Sequence, residues 1–126
     1  MDLGILSAFS SIAAEGGNDG WRMENLVFLK LYADHSTKDY ELFYWKNGCE
    51  VDFVLARKQR VLKLIQVAYD LSNAKTRQRE INGLLQASSR LSCDDLSIVT
   101  LTEKATLQQD GKTITICPIT EFLMEE

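Results

Sequence analysis

Apolar positions along this chain change period several times, and each change marks an element. Residues 21–34 (WRMENLVFLKLYAD) hold good helix formers, with Leu26, Val27, Phe28, Leu29, Leu31 and Tyr32 among them. That stripe is wide enough to imply a helix covered on more than one side. Asn18 or Asp19 can cap its start. Residues 40–46 (YELFYWK) are aromatic-rich and suit a strand. Asn47-Gly48 follows, a strong hairpin signal because a type I′ turn needs positive φ at both central positions. Residues 50–57 (EVDFVLAR) form the returning strand. Period two places Val51, Phe53 and Leu55 on one face and Glu50, Asp52 and Val54 on the other.

A basic turn at 58–60 leads to a third strand over 61–69 (VLKLIQVAY), apolar nearly throughout, as a strand covered on both faces would be. Leu64, Gln66 and Ala68 share one of its faces; Lys63, Ile65 and Val67 share the other. Ser72 or Asn73 can cap a helix over 74–90, where Ala74, Arg77, Ile81, Leu84, Leu85, Ser88 and Leu91 follow helical spacing. Residues 97–102 (SIVTLT) read as a strand, and Asp110-Gly111 marks a hairpin between 105–109 and 112–117. Pro118 ends that hairpin, and 119–124 form a short helix. The third and fourth strands, joined across a helix, should be parallel with a right-handed crossover. The pattern predicts a mixed α/β sheet with helices on its faces. Residues 2–14 read as a small helix or coil packed on its neighbours, set apart by the glycine-rich stretch 15–20.

Composition narrows the class. At 126 residues the chain suits one domain with a core of its own. No apolar run approaches the roughly 20 residues of a membrane-spanning helix, and no membrane partner is expected. Leu3 to Ala14 is mildly apolar without a basic segment before it, a poor signal peptide. Cys49, Cys93 and Cys117 are odd in number and widely spaced, so no CxxC redox or zinc motif arises. We therefore expect reduced thiols and a cytoplasmic protein. The single histidine, His35, removes any catalysis needing two. The net charge of −4 argues against a dedicated nucleic-acid binder, since phosphate neutralisation supplies most of that affinity.

The candidate chemistry is acidic. Glu24 lies on the first helix, Asp52 in the second strand and Gln66 at a comparable height in the third. Carboxylates from adjacent elements are what a hard divalent cation wants. The stretches Glu24-Asn25-Leu26-Val27-Phe28, Gly48-Cys49-Glu50-Val51-Asp52-Phe53-Val54, Leu64-Ile65-Gln66-Val67-Ala68-Tyr69-Asp70-Leu71 and Thr76-Arg77-Gln78-Arg79-Glu80-Ile81 come in that order. Together they resemble the C-terminal domain of unknown function of a group of prokaryotic AAA-type ATPases. Asp2-Leu3-Gly4-Ile5-Leu6 resembles the segment leading into that domain, and Ile116 to Leu123 resembles its end. That domain is in turn similar to the restriction-endonuclease-like, or PD-(D/E)XK, superfamily.

The resemblance implies an αβββαβ core, here with an extra C-terminal hairpin and short helix. Residues 1–20 would be a lead-in packed on the domain and 21–126 the nuclease-like domain. It also implies site residues. Glu24 matches the helix-borne acid and Asp52 the acid of the second strand. Gln66 falls where the third-strand acid would be, and Ala68 where the Lys would be. Metal ligands would be Glu24 and Asp52, with Glu50 as a third, and Mg²⁺ or Mn²⁺ as the cation. The departures matter, because Ala68 cannot activate water and Gln66 offers only a neutral oxygen. A migrated cation would come from Lys75 or Arg79, with Lys63 facing away. The expectation is therefore a degenerate module with no cation bound, serving as an interaction or regulatory domain of a larger ATPase. No GxxxxGK[ST] loop occurs in the chain, so the ATPase half is expected elsewhere. The alternative is an active divalent-metal-dependent endonuclease or exonuclease on DNA or RNA.

Other residues carry two readings. Tyr40, Tyr44 and Trp45 could stack on bases or pack across strands. Arg57-Lys58-Gln59-Arg60 could touch phosphate or form a solvated turn. Glu24 and Asp52 could instead pair with Arg77 or Arg79. Nucleic acid, a protein partner and a second copy of the chain all remain open as partners.

Overall fold

The computed structural model describes residues 19–46 and 50–125. The expected lead-in helix, the Asn18 cap, the Asn47-Gly48 turn and Cys49 lie outside them. The elements in chain order are α1 (Asp19–Asp34), β1 (Glu41–Lys46), β2 (Glu50–Arg57), β3 (Arg60–Val67), α2 (Ala74–Leu91), β4 (Leu96–Thr100), β5 (Ala105–Gln109), β6 (Lys112–Pro118) and α3 (Ile119–Met124). They build one six-stranded mixed sheet in the order β1-β2-β3-β4-β6-β5. β1, β2 and β3 pair antiparallel, and β3 and β4 pair parallel across α2, as the strand–helix–strand pattern required. β6 continues the parallel run, and β5 closes the sheet antiparallel to it.

Two apolar layers hold the helices. On one face, Val27, Phe28 and Leu31 of α1 and Phe122 of α3 pack on Phe53, Leu55, Ile65 and Val67. On the other, Ile81, Leu84 and Leu85 of α2 pack on Val51, Val54, Leu64, Leu96 and Ile98. β3 therefore feeds both cores, and β4 is buried throughout. α2 starts at Asn73, whose side-chain oxygen accepts the Thr76 N–H at 3.0 Å and satisfies one orphan donor of the first turn. It ends at Ser92, a left-handed residue with φ 54°.

One sequence expectation fails here. Val51 and Phe53 do not share a face: Val51 packs under α2 and Phe53 under α1. The β1–β2 register steps from Phe43↔Val54 to Trp45↔Val51, so Asp52 and Phe53 together oppose Tyr44. This is a β-bulge, and its extra residue inverts the side-chain alternation from that point toward the start of β2.

The aromatic strand resolves toward packing. Tyr40 is buried, and its hydroxyl donates to the Leu31 carbonyl at 2.7 Å. Burial, with the Asp34 charge, pushes that hydroxyl's pKa up to about 12. Phe43 and Trp45 pack against the α2-side core, leaving Tyr44 as the exposed ring. His35 stacks on Tyr32 just beyond α1.

Ser92 carries a side chain in the left-handed region, where glycine has no steric penalty. Ser92→Gly should raise the unfolding free energy by roughly 0.5–1 kcal/mol, because relief of the left-handed strain outweighs the opposing effect of a looser unfolded chain. Urea denaturation monitored by tryptophan fluorescence reads this as a higher midpoint at constant slope.

Candidate functional site

The bulge sets the site. Backbone pairing between β2 and β3 runs down to Phe53↔Ile65 and stops. Past that point two side chains take over the ladder's work. The Asp52 N–H donates to Gln66 Oε1 at 2.8 Å, and the Val67 N–H donates to Asp52 Oδ2 at 2.8 Å. Gln66 Nε2 donates to the Glu50 carbonyl at 3.0 Å and to Glu80 Oε2 on α2 at 3.2 Å. Buried backbone groups need partners, and here an amide and a carboxylate supply them. Gln66 is 4% exposed and bonded at both ends of its amide.

Above this brace lies a cleft of about 610 Å³ between β2 and α2. Glu50, Asp52 and Gln66 form its sheet side; Lys75, Arg79, Glu80 and Gly83 form its helix side. Gly83 eases the close approach, because a Cβ there would stand 3.3 Å from the Glu50 carbonyl oxygen, tight enough that the neighbour would have to shift by a few tenths of an ångström. That explains a glycine inside a helix, where it costs about 1 kcal/mol relative to Ala.

The electrostatics are those of crowded acids. Asp52 retains partial exposure as a residue, yet its carboxyl sits among protein atoms. Burial pushes that carboxyl well above the usual carboxylate range. The Glu24, Glu80 and Glu50 charges add to the rise, and the Val67 N–H opposes it. Burial also raises Glu80, with Arg79 pulling it down and Glu50 pushing it up. Arg79 stands 3.8 Å from Glu80 and is largely solvated. Arg77 pairs instead with Glu103 at 2.8 Å.

The structure thus brings Asp52, Gln66 and Glu50 into one cleft. Glu24 stands outside its lining, near enough for its charge to act on Asp52. Ala68 is buried in the α2-side core, its N–H donating to the Val99 carbonyl at 2.9 Å. Lys75 and Arg79 reach the cleft, whereas Lys63 lines a separate cavity on the α1 face. Sequence reasoning missed Glu80 as a site residue. Its signal was the three-residue spacing from Arg77, Glu80 and Gly83, which puts a carboxylate above a glycine on one helix face.

Two of the oxygens that would face a divalent cation are already engaged within the protein. Asp52 Oδ2 is engaged by the Val67 N–H, and Gln66 Oε1 by the Asp52 N–H. Among the described residues no three His, Cys, Asp or Glu side chains are grouped to hold a metal ion.

Two outcomes follow. The folded chain keeps a proton on Asp52 at pH values where the unfolded chain has lost it. Stability is therefore undiminished below the ordinary carboxyl pKa of 3.8 and falls as pH rises from there through the raised folded value. Asp52→Asn keeps an acceptor for Val67 and removes the charge, so it should raise stability at neutral pH and flatten that decline. Thermal melts from about pH 4 to pH 8 measure both. Gln66→Glu replaces a donor by an acceptor facing the Glu50 carbonyl and Glu80. It should destabilise by on the order of 3 kcal/mol at neutral pH, with partial recovery in acid, read by urea titration at two pH values.

Comparison with known proteins complements the geometry. No solved structure matches the chain. It is 34% identical over 108 residues to the uncharacterized protein MJ1544 of Methanocaldococcus jannaschii, covering 80% of this chain and 24% of that protein. The chain therefore spans about a quarter of the length of this curated relative. No helix among the described residues is long and apolar enough to cross a membrane. The profile described as "Domain of unknown function (DUF4143)" matches residues 19–122, and the chain belongs to that family.

Proposed function

We propose that this chain is a nuclease-fold module that has lost cleavage chemistry and serves as an interaction or regulatory domain of a larger ATPase. The observation that carries this reading is the engagement of Gln66 and Asp52. Where a metal-dependent nuclease would aim free oxygens at a cation, these two hold β2 to β3 and α2. The element order, with antiparallel β1 to β3 and a parallel β3–β4 pair, supports a restriction-endonuclease-like ancestry. Ala68, packed in the core, supplies no ammonium to the cleft. The small share of MJ1544 that the chain spans supports a place within a longer protein.

A second reading, an active Mg²⁺- or Mn²⁺-dependent nuclease, draws on Lys75 and Arg79. Both line the cleft with Asp52 and Glu80, so a cation displaced from position 68 is at hand. It also needs Asp52 to turn from Val67 toward a metal. The two readings part in a cleavage assay on single- and double-stranded DNA and RNA with each metal, alongside Mn²⁺ titration calorimetry. We expect no cleavage and no binding heat. Cutting that disappears in Asp52→Ala would overturn the proposal and establish the second reading.

A further inference from the structure

We infer that the segment Leu3 to Ala14 docks as an amphipathic helix antiparallel to α1 and covers the outer face of α1. The inner face of α1 turns Met23, Val27, Phe28 and Leu31 to the core. Its outer face holds Leu26, Leu29 and Tyr32, which are 43%, 51% and 45% exposed, and Ala33 is exposed beside them. Residues three and four apart are neighbours on a helix surface, so these form one stripe. From Asn25 to Ala33 no charged residue falls within it. A solvated helix face is normally polar. α2 obeys that rule, since beyond Ala74 its exposed residues are all polar or charged.

The stripe also lacks a donor. Asn25 lies one turn before Leu29, and its Oδ1 is buried with no hydrogen-bond partner among the described residues. Buried acceptors are nearly always bonded. The face therefore calls for hydrocarbon along Leu26, Leu29 and Tyr32 and for an N–H or O–H at Asn25.

The sequence just ahead of α1 supplies both. Ile5, Ala8, Phe9 and Ile12 recur at i, i+3, i+4 and i+7, one face of a helix. Leu6 and Ala13 widen that face, and Ser7, Ser10 and Ser11 gather away from it. A helix this short is marginal alone and takes its stability from packing. Glu15 to Asn18 leave four residues for the connection, within the range that joins antiparallel neighbouring helices. Gly16-Gly17 within it allows the sharp reversal. Because both helices rise equally per residue, counting out from that turn sets Phe9 level with Leu26 and Ile5 level with Leu29. Ser10 then lies level with Asn25, where its hydroxyl donates to Oδ1. Tethering through so short a link gives this segment a high effective concentration at α1, which a separate partner lacks.

The test is solution NMR on the complete chain. Nuclear Overhauser contacts should join the Phe9 ring to the Leu26 methyls and Ile5 to Leu29, and the amides from Leu6 to Ala13 should be protected from exchange. Leu29→Lys puts a charge in the stripe at a position already half exposed, so the sheet should keep its own protection. Protection within the segment should fall by about tenfold or more. Freely exchanging amides with no such contacts would overturn the inference and leave the stripe to another protein. Contacts found only between differently labelled copies would overturn it too, giving the face to a second chain. So would segment protection that Leu29→Lys leaves unchanged, which would place the segment on a different surface.

Discussion

Where β2 and β3 stop pairing through their backbones, Asp52 and Gln66 substitute side chains for the missing ladder, and the rest of the molecule is arranged around that substitution. The cause is the bulge opposite Tyr44. An extra residue swings β2 out of register, and the backbone groups of Glu50, Asp52 and Val67 would be left without partners in a partly buried place. Each finds one in a side chain of the facing strand or its neighbour. Because Gln66 also bonds Glu80, the same brace fixes how α2 lies over the sheet. Gly83 eases that approach.

The brace explains why position 66 is a neutral amide. Its nitrogen faces a carbonyl and a carboxylate, both of which need a donor. A carboxylate there would add a further acid to Glu24, Glu50, Asp52 and Glu80, where burial, with the neighbouring charges, already raises Asp52. Such crowding is tolerable when a cation or a donor network neutralises it, and costly otherwise. Gln66 supplies the donor network. That is a stabilising role, and the proposed loss of cleavage chemistry rests on it.

Much of the fold was legible because its signals are local. Capping at Asn73, the Asp110-Gly111 turn and the two-sided apolarity of β3 each act within a few residues. The parity of β3 was also legible, and it correctly separated Gln66 from Lys63. The parity of β2 was not. A bulge is set by the pairing of two strands, and no residue between Val51 and Phe53 announces it. Glu80 escaped for a related reason. It is the single acid of α2, which in sequence reads as a solvated helix residue, and the tertiary approach of α2 to the sheet brings it to Gln66. Of the residues named from the resemblance, Glu50, Asp52 and Gln66 line one cleft, Glu24 acts on Asp52 from outside its lining and Ala68 lies in the core.

A buried polar brace is weaker evidence for stability than for specificity. β3 carries apolar residues on both faces, so a slip of one residue along β2 would still leave hydrocarbon facing both helices. What such a slip would cost is the placement of Gln66. It would rotate the amide into the core beneath α1, among Phe28, Phe53 and Phe122, and present Ile65 or Val67 to the Glu50 carbonyl and Glu80. Two part-buried acceptors and one buried amide would lose their partners together, at roughly 1–3 kcal/mol at most for each. Hydrophobic burial and the alternation of side chains thus hold the three layers in register, and the bonds of Gln66 add a cost to leaving it. Any function of the cleft, catalytic or not, inherits its geometry from that register.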